Sequence, residues 1–233
     1  MKKILILVLA FTYAAFAFSA EIAIGGRGNF NWDVGTSLAR DGDTLFKALR
    51  QAGASYSLYD NIGGGVGVYG NIELFDADRV KLALQPEIDL NFNNGINSKV
   101  NTGYKNSSVT IATTTLDIPL LLMVDFPVNK SVVGIGLGPQ VSFPLAFFAA
   151  TNSNGIINDY GNTLNFDGFN FGFAFDIHAK FHIGNSIAFV PNLRYNLDVT
   201  PTKAQETVGW VEYHYELFVR RGMCVGLGVE YHL

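Results

Sequence analysis

The chain has 233 residues, 48% of them hydrophobic and 13% aromatic against only 15% charged, with 25 glycines. A formal net charge of -4 with scattered Lys and Arg excludes a nucleic-acid partner recognised through a basic tract. One cysteine, Cys224, excludes an internal disulfide, and the low charge leans toward a chain with one side in lipid.

Residues 1–20, MKKILILVLAFTYAAFAFSA, read as an export signal. Lys2 and Lys3 precede an apolar run from Ile4 to about Phe18, and small residues at Ala15, Ala17, Ser19 and Ala20 place cleavage near 17–20. The run is shorter than the roughly 20 residues that a spanning helix requires. Residues 21–233 are then one domain in an oxidising compartment. Without a disulfide its stability must come from hydrogen bonding and packing, which a closed barrel supplies.

From Glu21 onward apolar and polar residues alternate, the period of a β-strand with two unlike faces. The first segment sets Ile22, Ile24, Phe30 and Trp32 against Arg27, Asn29 and Asn31. Next, IGGGVGVYGNIELF sets Ile62, Val66, Val68, Ile72 and Leu74 against Tyr69, Asn71 and Glu73. In VKLALQPEIDLNF, Val80, Leu82, Leu84, Ile88, Leu90 and Phe92 oppose Lys81, Gln85, Glu87, Asp89 and Asn91. A fourth strand, from about Thr110 to Phe126, opposes Leu116, Ile118, Leu120, Leu122 and Val124 to Thr113, Thr115, Asp117 and Pro119. The fifth places Val133, Ile135, Leu137, Val141 and Phe143 opposite Gly134, Gly136, Gly138, Gln140 and Ser142. The sixth, FNFGFAFDIHAKF, is regular throughout: Phe169 to Phe181 at odd positions, with Asn170, Gly172, Ala174, Asp176, His178 and Lys180 between them. The seventh divides Ile187, Phe189, Leu193, Tyr195, Leu197 and Val199 from Asn192, Arg194, Asn196 and Asp198. The last divides Met223, Val225, Leu227, Val229, Tyr231 and Leu233 from Cys224, Glu230 and His232.

Eight strands are joined alternately by tight turns (76–79, 127–130, 184–186) and by long polar connectors (33–60, 93–109, 144–167, 200–220). That is the pattern of an eight-stranded antiparallel up-and-down transmembrane β-barrel, with short periplasmic turns and long extracellular loops. A soluble barrel would have to hold all the bulky apolar residues inside, where eight strands leave too little room. The glycines lie on the polar face, so the polar face is the lumen and the bulky face meets lipid. Aromatics near strand ends, among them Phe30, Trp32, Phe92, Phe126, Phe169, Phe181 and Tyr231, fit the girdles at the membrane interfaces.

LQPEIDLNF (84–92), TTTLDIPLLLMVDF (113–126) with VVGIGLGPQVSF (132–143), and AFVPNLRYNLDVT (188–200) resemble the PorT-like outer-membrane β-barrel domain family. The final strand, apolar at alternate positions back from the end, looks like the signal read by the barrel-assembly machinery, with Leu233 in place of the usual terminal phenylalanine. The resemblance implies the outer membrane of a diderm bacterium more than it implies an activity.

The sequence predicts no cofactor, no metal and no catalytic residue. GVGVYG (65–70) and GIGLGPQ (134–140) lack the strand-to-helix switch of a phosphate loop. His178 and His182, expected on one lumen face, lie about 13 Å apart at strand rise, too far to share a metal. A lipid-modifying enzyme would need a nucleophile and histidine at the lipid-facing rim. The lumen charges are more telling, because an unpaired buried charge is expensive. A turn at 184–186 sets Asp176 opposite Arg194; Glu87 and Asp117 are expected as near neighbours requiring relief; Arg27 reaches inward beside the glycines of the last strand. These five residues form a predicted polar network that plugs the lumen, and a narrow channel for small solutes or cations is the alternative.

Of the connectors, 41–53 could form a short amphipathic helix, 93–108 and 151–162 read as Asn-, Gly- and Ser-rich loops, and 208–221, with Trp210, Tyr213, Tyr215 and Arg220, reads as an edge hairpin with ordinary strand aromatics or as an extension of the last strand. The expected role is structural, or an adhesive contact with an extracellular protein or glycan through these loops, by a monomer.

Overall fold

The structure, a computed structural model, describes residues 21–33, 58–59, 61–94, 97–101, 106–153, 156–159, 165–184, 186–200, 202–208, 211–217 and 221–233. The export signal and the 41–53 helix predicted from sequence lie outside these residues.

Eight strands form the wall: β1 (Ile22–Asp33), β3 (Asn61–Ala77), β4 (Val80–Asn94), β6 (Asn106–Val128), β7 (Ser131–Ser153), β10 (Asn170–Ile183), β11 (Ile187–Asp198) and β14 (Arg221–His232). Each pairs antiparallel with the next, and β14 returns to β1 through pairs from Ala23–His232 to Asp33–Gly222. Closure matters because no water in the hydrocarbon layer can satisfy a free strand edge. Pairing followed from Ala23 through Asn71, Gln85, Leu121, Gly138, Ala174, Asn196 and Gly222 returns to β1 at Asp33 rather than at Ala23. Such a stagger tilts the strands. Residues far apart in the chain thereby share one level of the lumen.

The faces are inverted relative to a soluble protein. Val66, Val68, Ile135, Leu137, Ile177, Val225, Leu227 and Val229 are exposed on the outer wall, whereas Glu87, Asp89, Asp117, Arg194 and Glu230 are buried within. Phe30 and Phe92 flank Gly64 at one level of the wall near the long connectors, and Trp32 lies just beyond. At the opposite end Phe126, Phe181 and Tyr231 are likewise exposed outward, so aromatics mark both borders of the apolar band. Two of the short turns carry backbone of the left-handed region, at Asn129 (φ 56°) and Gly184 (φ 75°).

Where polar loops were expected, much of the chain is β structure. The hairpin of β6 and β7 continues paired to Ser107–Ser153, well past the predicted ends near Thr110 and Phe143. It is flanked by β5 (Asn97–Asn101) and β8 (Ile156–Asp159), and β5 also pairs with β2 (Leu58–Tyr59). A hairpin above the bilayer needs backbone partners but no greasy face, so hydropathy alternation does not mark its end. The stretch 208–221 contributes to an edge hairpin rather than extending the last strand. Its β13 (Val211–Leu217) pairs with β12 (Thr202–Val208), which pairs with β9 (Asn165–Asp167) in a separate three-stranded sheet. Trp210 and Arg220 lie outside the described residues.

Close approach of β6 to β7 depends on Gly138, where an added Cβ would collide with the backbone carbonyl of Leu120. Gly138→Ala should destabilise the barrel by about 1–3 kcal/mol, the range for overpacking. Gly28→Ala, on the lipid face with open space around it, should stay within about 0.5 kcal/mol. Urea unfolding of both variants refolded into lipid vesicles checks the contrast.

Candidate functional site

The lumen is filled by side chains from every wall strand, stacked in three layers. The central layer is ionic. Arg27 on β1 and Arg194 on β11, strands separated by β14, reach into the lumen to one carboxylate, Glu87 on β4: Arg27 Nη2 to Glu87 Oε2 is 2.7 Å, and Arg194 Nη1 and Nη2 lie 2.6 and 2.8 Å from Oε2 and Oε1. Arg194 thus grips Glu87 with two parallel bonds, the geometry that a planar guanidinium favours. Its Nε also donates to Asp176 Oδ2 at 3.1 Å, while Arg27 donates to Asp89 from Nε at 3.2 Å and from Nη2. Gln85 Nε2 completes the shell, donating to Glu87 Oε1 at 2.6 Å. Arg27, Glu87 and Arg194 are 8%, 2% and 2% exposed.

Registration explains why these groups meet. Asp176 stands opposite Arg194 on the β10–β11 hairpin, and His182 opposite Ala188, as the turn geometry required. Arg27 lies between Gly67 and Gly228 on its two neighbouring strands, so its stem leaves the wall over two residues without side chains. An added Cβ at Gly67 would collide with the carboxylate of Asp89.

Toward the short turns a second layer joins Asp125, His178, Lys180 and Glu230. His178 Nε2 is 2.9 Å from Asp125 Oδ1, and its Nδ1 is 3.3 Å from Asp176 Oδ1, which links this layer to the central one. Lys180 Nζ lies 3.2 Å from Asp125 Oδ2 and 3.3 Å from Glu230 Oε1. Toward the long connectors the third layer is mostly uncharged: Asn91 donates to Asp117 Oδ2 at 2.7 Å and accepts from Asn31 at 2.9 Å, and Gln140 donates to Ser142 at 3.0 Å.

Glu87 and Asp117 lie on adjacent strands as near neighbours, Asp117 standing directly opposite Asp89; Asn91 serves Asp117, and the two arginines relieve Glu87. Two expectations are corrected. His182 is exposed at the mouth, its ring 5.6 Å from that of His232, instead of facing the lumen beside His178. The 14 residues of β10 exceed the roughly 9–11 that a tilted spanning strand needs, and the surplus carries His182 out past the wall. Lys81 sits at the same rim, partly exposed between Glu73 and Asp76, rather than in the lumen network.

Sequence reasoning missed Asp125, which anchors the second layer, and the apolar plug formed by Leu121 and Met123, both buried inside. The run Leu120–Val124 is apolar on both faces, so alternation is silent there. Counting inward by twos from Asp117 would have found all three.

No layer contains, among the described residues, a nucleophile activated by a base at the lipid-facing rim, and His178 is buried with both ring nitrogens directed at aspartates.

No family model matches the chain, and no curated protein matches it. Among solved structures, the outer membrane protein OprG from Pseudomonas aeruginosa aligns over 92% of this chain and 96% of its own, with 15% identity and a TM-score of 0.53. A major outer membrane protein from Thermus thermophilus aligns over 92% and 100%, with 9% identity and a TM-score of 0.44. Outer Membrane Protein W of E. coli aligns over 92% and 98%, with 14% identity and a TM-score of 0.39. With OprG the likeness is one of fold: a closed, eight-stranded antiparallel barrel of the outer-membrane kind.

Neutralising the shared carboxylate with Glu87→Gln should cost about 3–5 kcal/mol, the range for breaking a buried pair, because two arginines would lose their common partner. Lys81→Ala at the rim should cost about 0–1 kcal/mol. Denaturant unfolding of the refolded barrels measures both.

Proposed function

We propose that this chain is a non-enzymatic protein of the outer membrane of a diderm bacterium, a monomeric barrel closed by its own side chains and presenting β structure at the cell surface for adhesion or another surface contact. The observation that carries this reading is the central layer. Arg194 crosses the lumen from β11 to Glu87 on β4, Arg27 joins the same carboxylate from β1, and none of the three is more than 8% exposed. Ion passage would have to break bonds whose charges are then left uncompensated, at several kcal/mol per ion.

The apolar outer wall with aromatics at both borders supports residence in a bilayer, and the barrel fold supports the outer membrane. The resemblance of 84–92, 113–126, 132–143 and 188–200 to the PorT-like family supports the same address, with insertion by the barrel-assembly machinery. By the short-turn rule the end with β5, β8, β9, β12 and β13 faces outward. Raised on a rigid wall, these strands are where an extracellular protein or glycan would be met.

A narrow cation pathway is the second reading, favoured by one observation. Among the described lumen residues the carboxylates of Glu87, Asp89, Asp117, Asp125, Asp176, Asp198 and Glu230 outnumber the cations Arg27, Lys180 and Arg194. An opened lumen would prefer cations.

Planar-bilayer recording separates the two. The refolded wild-type barrel should show no steady single-channel steps, and the double variant Arg27→Ala/Arg194→Ala should show cation-preferring ones. Steady steps from the wild type, abolished by a bulky replacement of Gly136, would overturn the plug.

A further inference from the structure

His178 stands where the two ionic layers join. Its Nε2 lies 2.9 Å from Asp125 Oδ1 on β6, and its Nδ1 meets Asp176 Oδ1 at 3.3 Å, an ion-pair contact rather than an aligned hydrogen bond. Asp176 in turn offers Oδ2 to Arg194, whose Nε and Nη2 are 3.1 and 3.0 Å away, and to Asn192 Nδ2 at 2.7 Å. One chain of contacts therefore runs from Asp125 through His178 and Asp176 to Arg194 and Glu87. On β7 only a glycine lies against the ring: a Cβ at Gly134 would collide with both His178 and Asp125.

A carboxylate only accepts hydrogen bonds, and a neutral imidazole donates from one nitrogen alone. Whichever ring nitrogen lost its proton would turn a lone pair toward an aspartate. The two ionic layers also hold five buried carboxylates, Glu87, Asp89, Asp125, Asp176 and Glu230, against three buried cations besides the ring, Arg27, Lys180 and Arg194. A charged ring narrows that deficit, and an unpaired buried charge is costly. The titratable groups beside the ring are Asp125 on β6, Asp176 on its own strand, Arg27 on β1 and Tyr69 on β3; Lys180, Glu230 and Arg194 are bound to its partners or one step beyond.

We infer that His178 is the pH-sensitive positioning residue of the plug: as an imidazolium it holds Asp176 where Asp176 keeps Arg194 on Glu87, and loss of its proton loosens the central layer. This role rests on the plug proposed above. Its contribution is complete while the ring is charged and is lost as pH rises through the ring's deprotonation.

Nitrogen-15 NMR of the refolded wild-type barrel in lipid tests the ring directly. Both His178 ring nitrogens should carry a proton at neutral pH; one bare nitrogen overturns the inference whether or not the lumen conducts. Planar-bilayer recording tests the positioning. The wild type should be silent at neutral pH and show single-channel steps as the ring deprotonates. His178→Gln, which is never charged, should show steps already at neutral pH and no further change over that range. Lys180, Tyr69 and Cys224 also release protons in alkali, so the difference between wild type and variant isolates the histidine. The same variant should lower the folding equilibrium constant about tenfold or more at neutral pH, measured by urea unfolding in lipid vesicles, and the gap should close in alkali. If wild type and variant are both silent at every pH, the role of His178 is overturned and the plug stands. Steps from the wild type at neutral pH overturn the plug, and the positioning role falls with it.

Discussion

Glu87 is held by both Arg27 and Arg194, and the geometry of the whole lumen follows from that shared carboxylate. Two guanidiniums would repel each other across so narrow a space, yet each is anchored to the same anion and each has a further aspartate of its own, Asp89 for Arg27 and Asp176 for Arg194. In a soluble protein such a cluster would be outcompeted by a packed apolar core. Here the outside is lipid, so an apolar residue gains little by moving inward, and the interior must be filled with groups that satisfy one another.

Filling it requires room as well as charge. The polar side chains fit an eight-stranded lumen because glycines stand beside several of them: Gly67 and Gly228 beside Arg27, Gly136 beside Asp176, Gly134 against the His178 ring. Glycine is usually a weakness in a strand. In this wall it is the complement of an arginine, and its cost is offset by pairing on both edges of every strand. Leu121 and Met123 close part of the gap that the polar layers leave.

The strands that rise above the wall obey different rules. Within the membrane band each one must show lipid an apolar face, whereas the upper reaches of β6 and β7 and the sheet of β9, β12 and β13 need only backbone partners. Their length beyond the apolar band gives that end of the barrel a folded character.

Which face of each strand looks at lipid was legible in the sequence, because a period of two is a local property of the chain and the bulky residues of FNFGFAFDIHAKF leave no other solution in an eight-stranded barrel. The Asp176–Arg194 pair was legible for the same reason: a tight turn fixes the register of its own hairpin. That Glu87 and Asp117 are neighbours was legible, but that Asp89 stands directly opposite Asp117 was not, since the long connection between β4 and β6 sets no register. Nor could alternation place Leu121, Met123 or Asp125 within a run that is apolar on both faces. The meeting of Arg27, Glu87 and Arg194 was decided by tertiary structure alone. Only when the sheet closes with its stagger do β1, β4 and β11 bring residues of distant sequence to one level of the lumen.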